Sequence, residues 1–258
     1  MGEDNLNAEF LKTDPNRIIK IIASLSNPRE FDFSEIQDAD ALEIRLDLIT
    51  EPIEDKISKL RQNFVGPVIL TLRSSNEGGA FAGGVSEFWE RIEPHLGDVD
   101  YIDVEIQFKE ISKELKNRNI SIIASSHKNL MPSEEELREL IDQLQTYGDI
   151  SKIAVQPQNN SDLLTLLTIT SQSLKPVIMS VTGTTYRYAR PLLCLFGSLY
   201  TYCYIGSETS PGQYSLREMQ LLARLLTPGF VDPWFEGRPV RSGDASQFID
   251  LAKNLKNY

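Results

Sequence analysis

Short apolar runs rich in β-branched residues recur along this chain, and helical patterns separate most of them. They predict eight strands, over residues 18–24, 41–48, 68–72, 101–106, 121–125, 150–155, 176–181 and 198–205. Two of the intervening helices begin with a capping box, a serine followed three residues later by glutamate, at Ser133 and Ser215. Strands that alternate with helices form a parallel sheet. We therefore expect an α/β protein, and the 258 residues match a single-domain (β/α)8 TIM barrel.

An open, doubly wound sheet would show the same alternation and is the alternative fold. Its nucleotide-binding form needs a glycine-rich turn after the first strand, whereas residues 24–28 read SLSNP. The barrel is therefore predicted over residues 17–226. Residues 1–16 are expected to form a leader. Residues 227–258 are expected to be a tail that packs on the barrel, with a short last helix over 245–255.

The charge and apolar content exclude several classes of partner. The net charge of −11 argues against binding to nucleic acid or to an anionic membrane, because both require a basic surface. No apolar run approaches the ~20 residues of a membrane span, and the acidic N-terminus differs from a signal peptide, so a cytoplasmic protein is expected. Cys194 and Cys203 are interpreted as buried free thiols, and with two histidines and no CxxC motif no metal site is expected.

Two predicted strands carry charges on one face and aliphatic side chains on the other. Glu43, Arg45 and Asp47 alternate with aliphatic residues, and so do Asp103 and Glu105. Helices cover the outside of a barrel, so the charges should point inward, where an unpaired ion costs several kcal/mol. An exposed antiparallel strand is the alternative interpretation. Two such strands in one chain favour a polar site at one end of the barrel.

Three further residues extend this pattern at or near strand ends, where barrel enzymes build their active sites. Arg73 and His127 each follow a predicted strand, and Lys152 lies inside one. A lysine amine attacks carbonyl groups only when neutral, and the apolar neighbours of Lys152 favour the neutral form. Each residue also has an ordinary interpretation, His127 as a turn residue and Lys152 as a salt-bridged core lysine.

Seven short motifs, in this order and at these intervals, resemble the type I 3-dehydroquinate dehydratase family over most of residues 17–226. They are EIRLD at 43–47, RSSNEGG at 73–79, YIDVE at 101–105, SSH at 125–127, KIA at 152–154, FGS at 196–198 and SPGQ at 210–213. Each motif alone is weak, whereas the ordered set is specific.

The resemblance implies a lyase of the shikimate pathway, and hence of aromatic amino acid biosynthesis, that converts 3-dehydroquinate to 3-dehydroshikimate. It implies no metal and no organic cofactor, and it is compatible with a homodimer. Lys152 would form the Schiff base with the substrate. His127 would act as general acid and base, and Glu77 would orient His127.

The same resemblance implies a set of substrate-binding residues: Ser24, Glu43, Arg45, Arg73, Arg190, Thr209, Ser210 and Gln213. Of these, Glu43, Arg45 and Arg73 would hold the ring hydroxyls, and Arg190 with Gln213 and a hydroxyl of Thr209 or Ser210 would hold the carboxylate. Arg45 could instead form a structural ion pair with Asp47 or Glu105. Arg187 is the rival of Arg190, because the register of residues 185–190 departs from the family pattern.

Two other functions remain open from the sequence. A class I aldolase would also use Lys152 but would cleave a carbon–carbon bond. A barrel that has lost catalysis would act as a binding module. This alternative predicts that Lys152, His127 or Glu77 has been replaced, whereas all three are present.

Overall fold

Every strand in the described residues, which are 18–26, 33–50 and 53–227 of this computed structural model, belongs to one parallel sheet. The strands are β1 (Ile21–Leu25), β2 (Ala41–Arg45), β3 (Val68–Thr71), β4 (Tyr101–Glu105), β5 (Ser121–Lys128), β6 (Ile150–Val155), β7 (Val177–Val181), β8 (Thr201–Ile205) and β9 (Tyr214–Ser215). Their order along the sheet is β7-β6-β5-β4-β3-β2-β1-β8-β9. From β1 to β7 each strand pairs with the next one along the chain, and β8 pairs with β1, which confirms the (β/α)8 barrel and excludes the open doubly wound sheet.

The seam between β7 and β8 is closed by single contacts. The backbone N–H of Leu199, just before β8, donates to the carbonyl oxygen of Val177 at 2.9 Å. The hydroxyl oxygen of Ser198 accepts from the backbone N–H of Met179 at 3.0 Å. The curled sheet is therefore bridged at this seam by residues that precede β8.

Helices follow most strands and cover the outer face of the sheet. They are α1 (Phe33–Ile36), α2 (Glu54–Asn63), α3 (Val85–Ile92), α4 (Ser112–Asn117), α5 (Glu134–Gln145), α6 (Asn160–Gln172), α7 (Ala189–Leu195) and α8 (Leu216–Leu226). Shorter 3-10 helices span Leu46–Leu48, Ser75–Glu77, Glu93–His95 and Ile106–Ile111. Both predicted capping boxes are confirmed, at Ser133 before α5 and at Ser215 before α8.

The apolar core has two parts, one on each side of the sheet. The larger part, which includes Leu42 and Ile44 of β2, lies between the sheet and the helices. The smaller part fills the barrel and consists of Ile22, Ala41, Ile69, Tyr101, Ile123, Ile150, Ile178, Tyr200 and Tyr202. In most of these strands the next inward position, two residues further along, holds a polar side chain. These buried polar residues are Ser24, Glu43, Thr71, Asp103, Ser125, Lys152 and Ser180. An apolar plug therefore supports a polar layer nearer the carboxyl ends of the strands.

Aspartates fix the opposite end of the barrel. Three aspartates, each just before an even-numbered strand, accept a hydrogen bond from a backbone N–H at the start of the preceding strand. Asp40 accepts from Ile21 at 2.7 Å, Asp100 from Val68 at 2.8 Å and Asp149 from Ile122 at 2.7 Å. These bonds satisfy donors that the sheet leaves free and hold neighbouring strands in register. The register determines which side chains meet at the far end.

Two predicted boundaries are wrong in ways that affect the site. The strand predicted over 41–48 ends at Arg45, and the chain turns into a 3-10 helix because Asp47 folds back to pair with the Arg45 guanidinium. The strand predicted over 121–125 continues to Lys128, so His127 lies within β5 and does not follow it.

Other predictions have different outcomes. Cys194 and Cys203 are free and buried, as expected. The predicted leader 1–16, nearly all of the predicted tail 227–258 and its last helix lie outside the described residues. Within the described ranges, no helix is long and apolar enough to cross a membrane.

Candidate active site

A cavity of about 250 Å³ opens at the carboxyl ends of the barrel strands. Every site residue predicted from the sequence lines it except Ser24, namely Glu43, Arg45, Arg73, Glu77, His127, Lys152, Arg190, Thr209, Ser210 and Gln213. Ser24 is buried behind the wall and donates its hydroxyl to Glu43 at 2.5 Å. The fold therefore gathers into one cavity side chains that lie far apart in the sequence.

Lys152 extends from β6 into the polar layer of the barrel. Its Nζ lies 2.8 Å from Oδ2 of Asp103 and 3.3 Å from Oε1 of Glu43. The ring of Tyr202 supports the same atom, with its centroid 4.2 Å away. The side chain is nearly fully buried, so the two carboxylates supply the compensation that a buried cation needs.

His127 and Glu77 form a pair at the rim of the cavity. One carboxylate oxygen of Glu77 lies 2.9 Å from the His127 Nδ1 and also accepts the backbone N–H of His127 at 2.9 Å. Two contacts to one oxygen fix both the position and the tilt of the imidazole. Its other nitrogen, Nε2, is left available to the cavity.

Burial shifts the protonation of this pair. The burial of His127, together with the cations of Arg73 and Lys152, lowers its pKa well below the usual value. Burial also raises the pKa of Glu77 to about 8, although the cation of Arg73 opposes the rise. The imidazole is therefore neutral near pH 7, and the Glu77 carboxyl is the member of the pair that titrates close to neutrality.

Arg73 lies at the centre of a buried ion network. Its guanidinium contacts Asp103 and Glu105, both at 2.9 Å, and lies 3.6 Å from Glu77. It also donates to the hydroxyl of Ser125 at 3.0 Å. Asp103 is thus shared between Arg73 and Lys152, and these cations keep the pKa of its carboxyl below the usual range in spite of burial.

Arg45 forms the ion pair with Asp47 that was one of the alternatives in the sequence analysis. Its Nε and Nη2 donate to the two oxygens of Asp47, at 2.9 and 2.8 Å. The remaining Nη1 donates to the carbonyl oxygen of Thr209 at 3.2 Å. The pair fixes Arg45 at the cavity wall and ties β2 to the loop after β8.

The loop after β8 forms a polar corner around Gln213. The Gln213 Oε1 accepts from the backbone N–H and the hydroxyl of Thr209, both at 2.9 Å, and from the backbone N–H of Ser210 at 3.1 Å. Because three donors converge on the oxygen, the amide orientation is fixed and its Nε2 remains as a free donor.

Arg190 lies in this corner, at the start of α7, and is only 3% exposed. Its Nη2 donates to the Pro211 carbonyl oxygen at 3.2 Å, its Nε is buried without a partner, and no carboxylate among the described residues lies within ion-pair distance. Burial lowers its pKa to about 10, which still leaves it charged at pH 7. Such a cation is an attractive site for an anion.

Arg187 occupies a different environment. Its guanidinium stacks on the ring of Tyr214 at 3.9 Å and lies 4.0 Å from Glu218. It is not among the described residues that line the cavity. The geometry therefore favours Arg190 over Arg187 as the residue that faces a ligand.

Gly212 allows the two loops that carry this corner to meet. Its φ of +80° lies in the left-handed region, and a Cβ added there would come within 2.1 Å of the carbonyl oxygen of Gly183. The backbone N–H of Gly183 in turn donates to Pro211 at 3.1 Å. The SPGQ motif thus contains a glycine for steric reasons.

Sequence reasoning missed Tyr202 and gave Asp103 no role. Asp103 was placed on the inner face of its strand, but its partners Lys152 and Arg73 belong to other strands, which no local pattern reveals. Tyr202 could have been found from the alternation along β8 and the residue before it, because Tyr200 and Tyr202 share the parity of the inward positions.

In the ranges that the structure describes, no group of three or more His, Cys, Asp or Glu side chains is arranged to hold a metal ion. A buried lysine, a histidine–glutamate pair and an unpaired arginine converge instead at the carboxyl ends of the strands. This combination of fold and site defines a (β/α)8-barrel enzyme.

Comparison with known proteins identifies which barrel enzyme it is similar to. The family model described as type I 3-dehydroquinase matches residues 19–228. A 3-dehydroquinate dehydratase of Methanospirillum hungatei is 62% identical, over 98% of this chain and 99% of its own. One from Methanoregula boonei is 39% identical, over 81% of this chain and 100% of its own. The chain therefore belongs to the type I 3-dehydroquinase family, as its motifs predicted, and is an enzyme of that family.

Solved structures agree with this assignment. The type I 3-dehydroquinate dehydratase of Clostridium difficile, with covalent modified comenic acid, is 27% identical and superimposes with a TM-score of 0.72 over 81% of this chain and 92% of its own. The 3-dehydroquinate dehydratase of Aquifex aeolicus is also 27% identical, with a TM-score of 0.71 over 81% of this chain and 100% of its own.

Proposed function

We propose that this enzyme dehydrates 3-dehydroquinate to 3-dehydroshikimate through a Schiff base on Lys152, with His127 as the general acid and base. One observation carries the proposal: Lys152 and His127 project into the same cavity from adjacent strands. In the β5–β6 ladder Lys152 is opposite Ser125 and His127 is opposite Ala154, so the two side chains are two residues apart on the inner face. That separation, about 7 Å along the strand, accommodates a substrate carbon between them.

The first step joins Lys152 to the substrate ketone. Nζ must first lose a proton, because the ammonium that is paired with Asp103 and Glu43 is not nucleophilic. The amine then adds to the carbonyl carbon, and the proton that left Nζ protonates the hydroxyl of the carbinolamine, which departs as water and leaves the protonated imine. The covalent modified ligand in the Clostridium difficile relative supports covalent chemistry in this family.

The second step is elimination. The cationic imine withdraws electrons from the adjacent carbon, and Nε2 of His127 removes a proton from that carbon. The same imidazolium then protonates the hydroxyl on the next carbon, which leaves as water. Water finally hydrolyses the imine and frees Lys152, so that the net change is loss of one water molecule.

Substrate positioning follows from the remaining contacts. Arg190, which has no ion-pair partner among the described residues, the free amide donor of Gln213 and the hydroxyl of Ser210 suit a carboxylate, whereas the hydroxyl of Thr209 already donates to Gln213. Glu43, Arg45 and Arg73 line the same cavity and would hold the ring hydroxyls. Ser24 would act through Glu43, which it holds by a hydrogen bond.

A direct assay tests the proposal as a whole. Addition of 3-dehydroquinate should produce the ultraviolet absorbance of a conjugated enone. A class I aldolase would instead split a carbon–carbon bond, and a binding homologue would show no turnover. A homodimer, a cytoplasmic location, independence from cofactors and the domain limits given above stay predictions.

The carboxylate contact predicts a difference between two nearby arginines. Arg190→Lys keeps the charge but loses the two parallel N–H donors, so kcat/KM should fall roughly 10- to 150-fold, mainly through a raised KM. Arg187→Lys is the matched control and should be nearly silent in steady-state kinetics. The reverse order of effects would assign the carboxylate to Arg187.

The pKa of Glu77, raised to about 8, predicts a pH dependence. Below that pH the protonated carboxyl donates to Nδ1, the hydrogen of the imidazole lies on Nε2, and His127 cannot accept a proton. Above it the carboxylate accepts Nδ1–H and Nε2 is free. Therefore kcat/KM, which reports the free enzyme, should rise with pH through about 8.

The control for this pH dependence is Glu77→Gln, which preserves the size of the side chain and an acceptor for Nδ1–H but cannot titrate. Its kcat/KM profile should lack the rise near pH 8. A rise that persists in the variant would show that another group is responsible.

A further inference from the structure

We infer that Tyr202 is a positioning residue for the reaction, whose ring face holds the Lys152 nitrogen and stabilises the cationic imine formed on it. The inference rests on the proposed Schiff base. It starts from the contact across the barrel interior, where the Nζ of Lys152 on β6 lies 4.2 Å from the centroid of the Tyr202 ring on β8. This distance is well inside the ~6 Å over which an aromatic face attracts a cation.

Tyr202 differs from the rest of the plug in what its ring contacts. The plug inside the barrel contains five isoleucines, one alanine and three tyrosines, and the ring of Tyr202 lies against the Nζ of Lys152. Tyr202 is 4% exposed, and its hydroxyl is buried without a hydrogen-bond partner among the described residues, which is unfavourable. The side chain therefore buries an unsatisfied hydroxyl, which destabilises the plug and which an apolar residue would avoid. What it adds is an aromatic face beneath Nζ.

The chemistry of the nitrogen explains why a ring face is needed. The resting ammonium has three N–H donors and uses two of them, on Asp103 at 2.8 Å and on Glu43 at 3.3 Å. A protonated imine has a single N–H, so it can keep a hydrogen bond to only one of these carboxylates. The attraction of the ring face depends on the charge and not on the number of hydrogens. The Tyr202 contact is therefore retained when a hydrogen bond is lost.

The other ionisable groups around Lys152 lie on or just after strands β2 to β5. They are Glu43 of β2, Arg73 after β3, Asp103 of β4 and His127 of β5. An experiment that changes only the electrons of the ring leaves all of them in place. Differences in the behaviour of the imine can then be assigned to residue 202.

The test uses the full-length enzyme in four forms: wild type, Tyr202→Phe, and the same position carrying 4-fluorophenylalanine or 3,4,5-trifluorophenylalanine. Fluorine weakens the negative face of the ring while nearly preserving its shape. Borohydride reduces the protonated imine, so trapping is measured against pH with 3-dehydroquinate present. The imine yield in the trifluoro form should fall by roughly 2- to 30-fold, and the alkaline limit of trapping should move roughly 0.3 to 1.5 pH units lower.

Tyr202→Phe should match the wild type, because it keeps the face and loses only the unpaired hydroxyl, and the monofluoro form should lie between the extremes. A flat series, or loss of trapping already in Tyr202→Phe, would overturn the role of the ring face. Absence of trapping in the wild type would instead refute the Schiff base itself, so the two failures are distinguishable.

Discussion

Removal of the Lys152 amine should abolish turnover. A positioned nucleophile acts at an effective concentration of about 10⁵ M or more, so Lys152→Met should lower kcat by at least about 10⁴-fold. Methionine keeps most of the length of the side chain but leaves the carboxylates of Asp103 and Glu43 without a cation. Because such a change destabilises the fold by about 3–5 kcal/mol, the unfolding midpoint of the variant must be measured beside its rate.

A second measurement does not depend on the folding of that variant. Borohydride added to the wild type with 3-dehydroquinate should inactivate it and leave the mass of the reduced adduct on the peptide that contains Lys152. Lys128 is the internal control, since it is the other lysine in the described lining of the cavity. An adduct on Lys128, or on no lysine, would refute the assignment.

Loss of the imidazole should have an effect of similar size by a different route. General acid–base steps are each worth about 10²–10⁴-fold, and His127 is assigned two of them, so His127→Ala should lose several orders of magnitude in kcat. Imine formation uses Lys152, and borohydride trapping should therefore survive in the variant. Near-normal turnover would exclude His127 as the proton carrier. EDTA should leave the wild-type rate unchanged.

The role of Glu77 can be separated from that of His127 in the same experiment. Glu77 touches the imidazole through Nδ1, and it is expected to act by orienting that ring. Glu77→Gln should therefore change kcat in the wild-type background and add almost nothing to His127→Ala. Additive losses would mean that Glu77 contacts the substrate or the reaction independently of His127.

Local patterns in the sequence were sufficient to predict which side chains of a strand point into the barrel and which point outward. In β2 the alternation placed Leu42 and Ile44 outward and Glu43 inward, and the structure agrees. That success has a simple cause, because the two-residue period of a strand is a property of its own backbone. The same reasoning failed at Asp47, where an ion pair with Arg45 bends the chain out of the strand.

Nearly all of the predicted site residues line the cavity, but of their contacts the sequence indicated only the one between Glu77 and His127 and, as an alternative, the ion pair of Arg45 with Asp47. Arg73 was expected to face substrate hydroxyls, and the structure adds that its guanidinium is paired with Asp103 and Glu105. Those partners come from another strand. Their distance depends on strand register, which the aspartates at the opposite end of the barrel help to fix.

The choice between Arg187 and Arg190 shows the same division. The two residues are three apart in sequence and have the same chemistry, so no local rule separates them. The tertiary structure buries Arg190 in the cavity and stacks Arg187 on Tyr214, because α7 begins at Ala189 and the loop at Gly183 packs against Pro211. Binding of the substrate carboxylate by Arg190 stays a prediction, and Arg190→Lys and Arg187→Lys test it.

The amino-acid sequence by itself determined the class of fold, the inward-facing charges and the family of this protein. These depend on backbone periodicity and on short ordered motifs, both of which are local. Only the tertiary structure decided that Lys152 lies between Asp103 and Glu43 above the ring of Tyr202, and that Arg190 lacks a carboxylate partner among the described residues. The physical reason is that electrostatic and cation–π contacts depend on distances of a few ångströms between residues that the barrel brings together from distant strands.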